Sequence, residues 1–421
     1  MSIMSDEHAV YLPAVNVNYA RTLAAKGITR GLPKGLTLDD LAFWKPESGL
    51  WHHPQFLHSV GQYKVGADPS NAITCRGLSE GVLFGDSAGY QLGNGNLKGV
   101  NGLESGMSAN QACAVWRDSV AARDWIVNWL ETYTNYAMTI DIPLWATLAK
   151  HSGSPFHACS QEQITQLTVE NLHYIDNRPR GDTKWLNVIQ GLDARGMVDW
   201  WNAVKWFDCS GYAFSVEAGK TMGLRGVLEP LLVMRDEGAF ESGHDWLHML
   251  GSSGVYWAIV YTAIQRAIRS EVNPELRVSF DSSSPFQKGA IYEDYAIMPS
   301  FAHTEGSWGV KWKKAPQSHL HVNSSASLPF SSPIADRLTL GDLNVNSDAF
   351  ACNHFDQLSH LYLMNHNTWV YLTAFETANR LIFAQSPKVV PMRYAGAAKV
   401  VERAFKEENW HSYIDKYATS L

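Results

Sequence analysis

The sequence predicts an α/β fold, a (β/α)8 barrel, on two observations. Short apolar runs alternate with amphipathic helical stretches along most of the chain, and such alternation implies parallel strands joined by crossover helices. The polar residues Asp86, Asp141, Gln190 and Asp281 each stand at the C-terminal end of a strand-like run. In a closed barrel those ends converge on one face, where catalytic groups collect. In an open doubly wound sheet they would spread along an edge, with a crevice only at the switch point.

The strand-like runs are GVLFGD (81–86), YAMTID (136–141), KWLNVIQG (184–191), YAFSVE (212–217), WLHMLGSSG (246–254) and LRVSFDSSS (276–284). Between them lie stretches with apolar spacing near 3.6 residues, the helical period. The first, 110–133, follows Ser108, with Gln111 three residues on, the pattern of a capping box; Ser160 and Gln163 repeat it. Further helices are expected over 194–207, 254–268 and 356–383. Six strand–helix units, an N-terminal region and a C-terminal helical block make up the barrel. The stretch 287–350 breaks the rhythm, being rich in Ser, Pro, Asn and Lys. The expected organisation is a barrel core over 1–290, an irregular insertion over 291–350, and helices over 351–421 that complete the barrel.

At 421 residues and 45% hydrophobic, the chain can bury a large core. A net charge of −7 argues against nucleic-acid binding by the whole surface, though not against a local basic groove. The five cysteines are scattered, with no CxxC pair, so no disulfide framework is expected and a reducing cytoplasm fits. The N-terminal residues lack a basic segment followed by an apolar core, so no signal peptide is expected. No apolar run is long enough to span a bilayer, and no membrane partner is expected.

In FGDSAGYQL (84–92) an apolar run ends on a carboxylate among small residues. Small residues let a backbone bend sharply and let a flat ligand approach. Three aspartates and a glutamine at strand ends suit a polar, planar ligand, because a carboxylate accepts N–H donors and an amide both donates and accepts. Guanine, with its N1–H, exocyclic amine and O6, fits that inventory. Taken singly, Asp86, Asp141 and Asp281 read equally as turn or N-cap residues, and Gln190 as a structural hydrogen-bonder. His248 reads as a core residue or one that supports the site from behind.

GDSAGYQ resembles the DSGG-[FY]-Q motif of the tRNA-guanine transglycosylase superfamily. DIP at 141, NVIQG at 187–191, GYA at 211–213, HMLGSSG at 248–254 and SFDSSSP at 279–285 match later motifs of that family in order. The resemblance implies a pentosyltransferase that exchanges a base through a covalent glycosyl-enzyme. It makes Asp281 the nucleophile and Asp86 the carboxylate that moves protons to and from the bases. It places Asp141, Gln190, Ser87 and backbone groups of Gly211 and Ala213 around the base, between Tyr90 and Leu250 or Met249. No cofactor is required for exchange.

The sequence also departs from the tRNA enzymes. Their zinc cysteines are mostly missing, leaving Cys352, His354 and His366 as candidate ligands of a structural zinc, with His319 and His321 nearby. SAG replaces SGG, and the loop after the nucleophile reads SSSPFQKG. These departures make the chain most similar to the phage-type DNA-guanine transglycosylase branch. The implied reaction replaces guanine in DNA with a free 7-deazaguanine base, in a bacterial host cytoplasm if the enzyme is phage-encoded. Alternatives are the same exchange on tRNA, a non-catalytic nucleic-acid-binding barrel, and an unrelated barrel hydrolase. Glu217 stands one place beyond the family's glutamate, where Val216 lies, which favours an uncharged base substituent such as a nitrile. Lysines interleaved with indoles suit a polynucleotide, so Lys288, Lys311, Lys313, Lys314 and Trp312, with Trp308 beside them, are candidate contacts. A homodimer is left open.

Overall fold

A computed structural model describes residues 3–215, 217–251, 254–316, 324–343, 355–384 and 390–418, the side chains of 217–221 excepted. Eight parallel strands form a nearly closed barrel: β1 (Val10–Pro13), β2 (Gln55–Ser59), β3 (Val82–Asp86), β4 (Tyr136–Met138), β5 (Lys184–Ile189), β6 (Gly211–Ser215), β7 (Trp246–Leu250) and β8 (Arg277–Ser282). The ladder runs β1-β8-β7-β6-β5-β4-β3-β2. Its ends meet just past β1, where Ala14 bridges Leu57 of β2 and the Val15 N–H donates to Leu57 O at 2.9 Å. The barrel expected from the sequence is therefore present.

Among the described residues, thirteen α-helices accompany the strands. The first seven are α1 (Val17–Leu23), α2 (Leu38–Leu41), α3 (Gly89–Gly93), α4 (Ala109–Asp118), α5 (Val120–Tyr133), α6 (Gln161–Asp176) and α7 (Ala194–Val204). The rest are α8 (Glu217–Asp236), α9 (Val255–Glu271), α10 (Ser284–Ala290), α11 (Gln357–Phe383), α12 (Met392–Ala404) and α13 (Trp410–Tyr417). Both capping boxes form, at Ser108 with Gln111 and at Ser160 with Gln163. The single helix expected over 110–133 is instead two. Ser119 turns its hydroxyl back to Val115 O at 2.7 Å, and its ψ of 46 leaves the helical range. None of the described helices is long and apolar enough to cross a membrane.

Side chains alternate strictly along the strands, as the pleat requires. Outward-facing Val278, Phe280, Leu247 and Met249 join the core between sheet and helices. Inward-facing residues make a second cluster of Val10, Leu12, Leu57, Phe84, Tyr136, Met138, Leu186, Val188, Ala213 and Trp246. Phe84, Tyr136 and Trp246 stack around one another with ring centroids 4.7–4.9 Å apart and plug the barrel. The next inward residues along β3, β7 and β8 are Asp86, His248 and, beyond Ser279, Asp281. The plug thus forms a dry floor beneath the polar residues at the strand ends.

Within the stretch that breaks the rhythm, β9 (Asp294–Ile297) and β10 (Lys311–Lys314) pair antiparallel as a hairpin. It packs on α10 and α11, and α11 lies between α9 and α1 and reaches β1. Asn367 on α11 fastens the hairpin: its Oδ1 accepts the Ala296 N–H at 2.7 Å, and its Nδ2 donates to Asp294 O and Pro285 O. The neighbouring His366 is buried, with Nδ1 2.9 Å from Ser332 Oγ and Nε2 2.9 Å from Ala296 O.

Gly211 opens β6 against its neighbour, and a Cβ there would lie 2.0 Å from Trp246 O. Because the obstacle is backbone, Gly211→Ala is expected to destabilise the fold by at least about 2 kcal/mol in urea unfolding; a midpoint equal to the wild type's would contradict this packing.

Candidate active site

The strand ends open into a cavity of about 660 Å³. Asp86, Asp141, Gln190, Ser215, Leu250 and Asp281 line it, one from each of six successive strands or the loop that follows. Ser59, Gln62, Tyr90, Trp145, His151 and Gln287 add to the wall. The four strand-end polar residues singled out in the sequence therefore meet in one place.

Asp281 ends the inward face of β8. Its Oδ1 accepts the Gly251 N–H at 2.7 Å and lies 3.3 Å from His248 Nε2. Gly251 has φ +70, a conformation that favours glycine and turns its N–H toward the carboxylate. After Asp281, Ser282 Oγ accepts the Ser284 N–H at 3.0 Å and turns the chain into α10.

Asp86 is half-buried. Burial holds its carboxyl above the ordinary range; a hydrogen bond from Ser59 opposes this, and the charge of Asp281 adds to it. Asp141 is pushed up to about 7, first by burial and then by the charge of Asp86, against the hydrogen bond from Gln190. The three carboxylates thus feel one another in order: Asp281 acts on Asp86, and Asp86 on Asp141.

Gln190 is buried and fully engaged. Its Nε2 donates to Asp141 Oδ2 at 3.1 Å and to Ile142 O at 2.9 Å, while Oε1 accepts the Leu144 N–H at 2.8 Å. Gln190 therefore orients Asp141 and its loop, and reaches a ligand chiefly through that carboxylate.

The small residues after Asp86 now have a cause. A Cβ on Gly89 would meet Asp141 Oδ1 at 2.9 Å. Ala88 adopts φ +76, and its backbone N–H serves Asp86. Tyr90 is 65% exposed, and its ring lies 5.7 Å from Trp145 at 46°. Trp145 in turn packs 4.7 Å from His151. These rings give the cavity an aromatic side wall, with Leu250 also on its lining. Trp145 and Ser59 escaped the sequence reading. DIPLW, directly after a strand-end aspartate, could have drawn attention to Trp145; Ser59 lies on a strand that was not recognised.

Four expected base contacts do not reach the cavity. Gly211 begins β6 and sits roughly 13 Å below its C-terminal end, at about 3.3 Å per residue. Ala213 faces the barrel interior among the apolar residues of the plug. Met249 points outward to the helices, which leaves Leu250 as the wall residue of that pair. Ser87 is buried and donates to Thr139 O at 3.0 Å. Val216 and the Glu217 side chain lie outside the described residues.

The basic candidates divide. Lys311 and Lys313 are exposed on β10, on either side of Trp312, which packs 5.7 Å from Tyr371. Lys288 and Lys314 both approach Asp294, each at 3.4 Å. Trp308 is fully buried, its indole N–H bonded to Ala302 O, so it is no stacking platform. Of the zinc candidates, Cys352, His354, His319 and His321 lie outside the described residues. His366 has both ring nitrogens engaged within the protein and offers none to a metal as it stands. Among the described residues, no group of three or more His, Cys, Asp or Glu side chains is placed to hold a metal ion.

No family model matches the chain, and no curated protein matches it.

A carboxyl raised to about 7 stabilises the fold while protonated, below about pH 4, and loses that contribution as pH rises through 7. Asp141→Asn is therefore expected to raise Tm relative to wild type by an amount that grows between pH 5 and pH 8. A constant difference across that range would show that Asp141 ionises normally.

Proposed function

We propose that the chain is a guanine transglycosylase, a pentosyltransferase that exchanges guanine in DNA for a 7-deazaguanine base. The observation that carries the reading is the pair Asp86 and Asp281, brought from separate strands into one cavity and electrostatically coupled there. Two carboxylates in such roles are the logic of retaining glycosyl transfer. The third carboxylate, Asp141, is held by Gln190 and faces an aromatic wall. It suits a flat ligand that presents two N–H donors on one edge, as guanine does.

In this reading Asp281 attacks the anomeric carbon of the target nucleotide. Asp86, whose carboxyl is held above its ordinary range, gives a proton to the departing base and later takes one from its replacement. Asp141 accepts the base's N1–H and amine, and Tyr90, Trp145 and Leu250 hold its faces. The target base must leave the stack to enter such a slot. Lys311 and Lys313 on the hairpin are suited to phosphates of the flanking strand. DNA is favoured over tRNA by the departures from the tRNA enzymes in the nucleophile loop and the missing cysteines. The cytoplasm is the compartment that fits such a substrate.

Four measurements test this reading. Labelled guanine incubated with the protein is expected to enter duplex DNA; entry into tRNA alone would move the assignment to tRNA, and entry into neither would leave a binding module. Asp281→Asn should abolish exchange with Tm retained, and an active variant would remove the nucleophile assignment. Free-base affinity should strengthen as pH rises through about 7, where Asp141 becomes an acceptor, and Asp141→Asn should flatten that profile. For the hairpin, Lys311→Ala with Lys313→Ala should lower the slope of log K against log salt by about 2; an unchanged slope would place the DNA elsewhere.

A further inference from the structure

His248 stands on β7 in the barrel interior, fully buried beneath the cavity. Its Nδ1 lies 2.8 Å from Ser279 Oγ, on the residue directly opposite in β8. Ser279 Oγ also takes the indole N–H of Trp246, at 2.7 Å. An indole N–H can only donate, so the serine oxygen accepts there and keeps its own proton and a second lone pair to offer. The tautomer is set from the other side of the ring: Nε2 faces a carboxylate oxygen, which can only accept, so the ring proton belongs on Nε2 and Nδ1 takes the Ser279 hydroxyl proton.

Nε2 is buried and has no aligned hydrogen-bond partner among the described residues. The atom it faces is Asp281 Oδ1, 3.3 Å away. A buried ring N–H kept just short of an acceptor is costly unless a later state uses it. Asp281 and Asp86 both change charge in the exchange proposed above, and Asp281 is the one whose carboxylate lies against Nε2.

Resting on that reading, we infer that His248 is a positioning residue for the nucleophile, held in place by the chain from Trp246 through Ser279. Together with the Gly251 N–H it holds Asp281 Oδ1, which leaves Oδ2 to attack. In the first half-reaction a lone pair of Oδ2 forms the bond to C1′. The C1′–N9 pair leaves with guanine, which takes the proton of Asp86. In the second, the incoming base gives its N9 proton to Asp86, and the freed pair forms the new bond to C1′. The C1′–Oδ2 pair then returns to the carboxylate. The ester carries no charge and the carboxylate does, so a donor at Oδ1 favours release of the sugar over attack on it.

The test separates the two halves. DNA is incubated with the enzyme and a free base, quenched in denaturant, and analysed for exchanged base and for DNA covalently attached to protein. His248→Phe is expected to slow exchange about 10- to 100-fold, the size expected for a lost charge-assisted hydrogen bond. The fraction of DNA attached to protein should rise at the same time. His248→Gln, which keeps a donor, should recover part of the rate. Ser279→Ala, which takes away the partner of Nδ1, should shift the balance the same way by less, and it carries the test if His248→Phe does not fold. A purely packing role would lower exchange and adduct together, and that result, or a wild-type balance in the folded variant, overturns the inference. If the wild-type protein itself gives neither exchange nor adduct, the proposed function fails first and takes this inference with it.

Discussion

Three carboxylates share one half-buried cavity, and the cost of taking them out of water, to which their nearness to one another adds, is the constraint to which the surrounding structure answers. Each carboxylate is given protein donors in place of water. Asp86 has the Ser59 hydroxyl and the Ala88 N–H, Asp141 has Gln190, and Asp281 has Gly251. Those donors in turn fix local geometry: the left-handed turn at Gly251, the left-handed Ala88, and the glycine at 89 that leaves room for Asp141. Underneath, the aromatic plug keeps water from the barrel interior, so that the donors act in a medium of low polarity where they count for more.

Much of this was legible because strand period and barrel topology are both simple rules. An inward residue at one position makes the residue two further on inward as well. Phe84 therefore implies Asp86, and Trp246 implies His248 and Leu250. The same rule sends Met249 outward, which a motif match alone does not reveal. The parallel arrangement then collects every C-terminal strand end on one face, so Gly211, at the start of its strand, falls on the wrong side. Sequence position within a motif and height within a barrel are different quantities, and only the second decides what touches a ligand.

Other features were hidden for local reasons. β1 and β2 are four and five residues long; β1 lies in an apolar run but ends in proline, which is uncommon within a strand, and β2 is broken by His58 and Ser59. The break at Ser119 turns on a hydroxyl choosing its own backbone, and apolar spacing continues on both sides of it. Trp145 sits in a single 3₁₀ turn, Leu144–Thr147, too short to show a periodicity that would mark it. Gln190 was visible as a polar strand end, but its three partners could be found only once the loop at 141–144 was folded over it.

The hairpin carrying Lys311 and Lys313 is tied through Asn367 and His366 to α11, the same helix that lies against β1 and completes the wall of the barrel. The offset between the outer lysines and the acid at the end of β8 is therefore set by buried amides rather than by a loose tether. A polymer lying across both would find a gauge of fixed length. If the polymer is the DNA proposed above, any adjustment of phosphate spacing has to come from the strand itself, and the ease with which a given stretch is drawn out of its regular helix would then choose among targets.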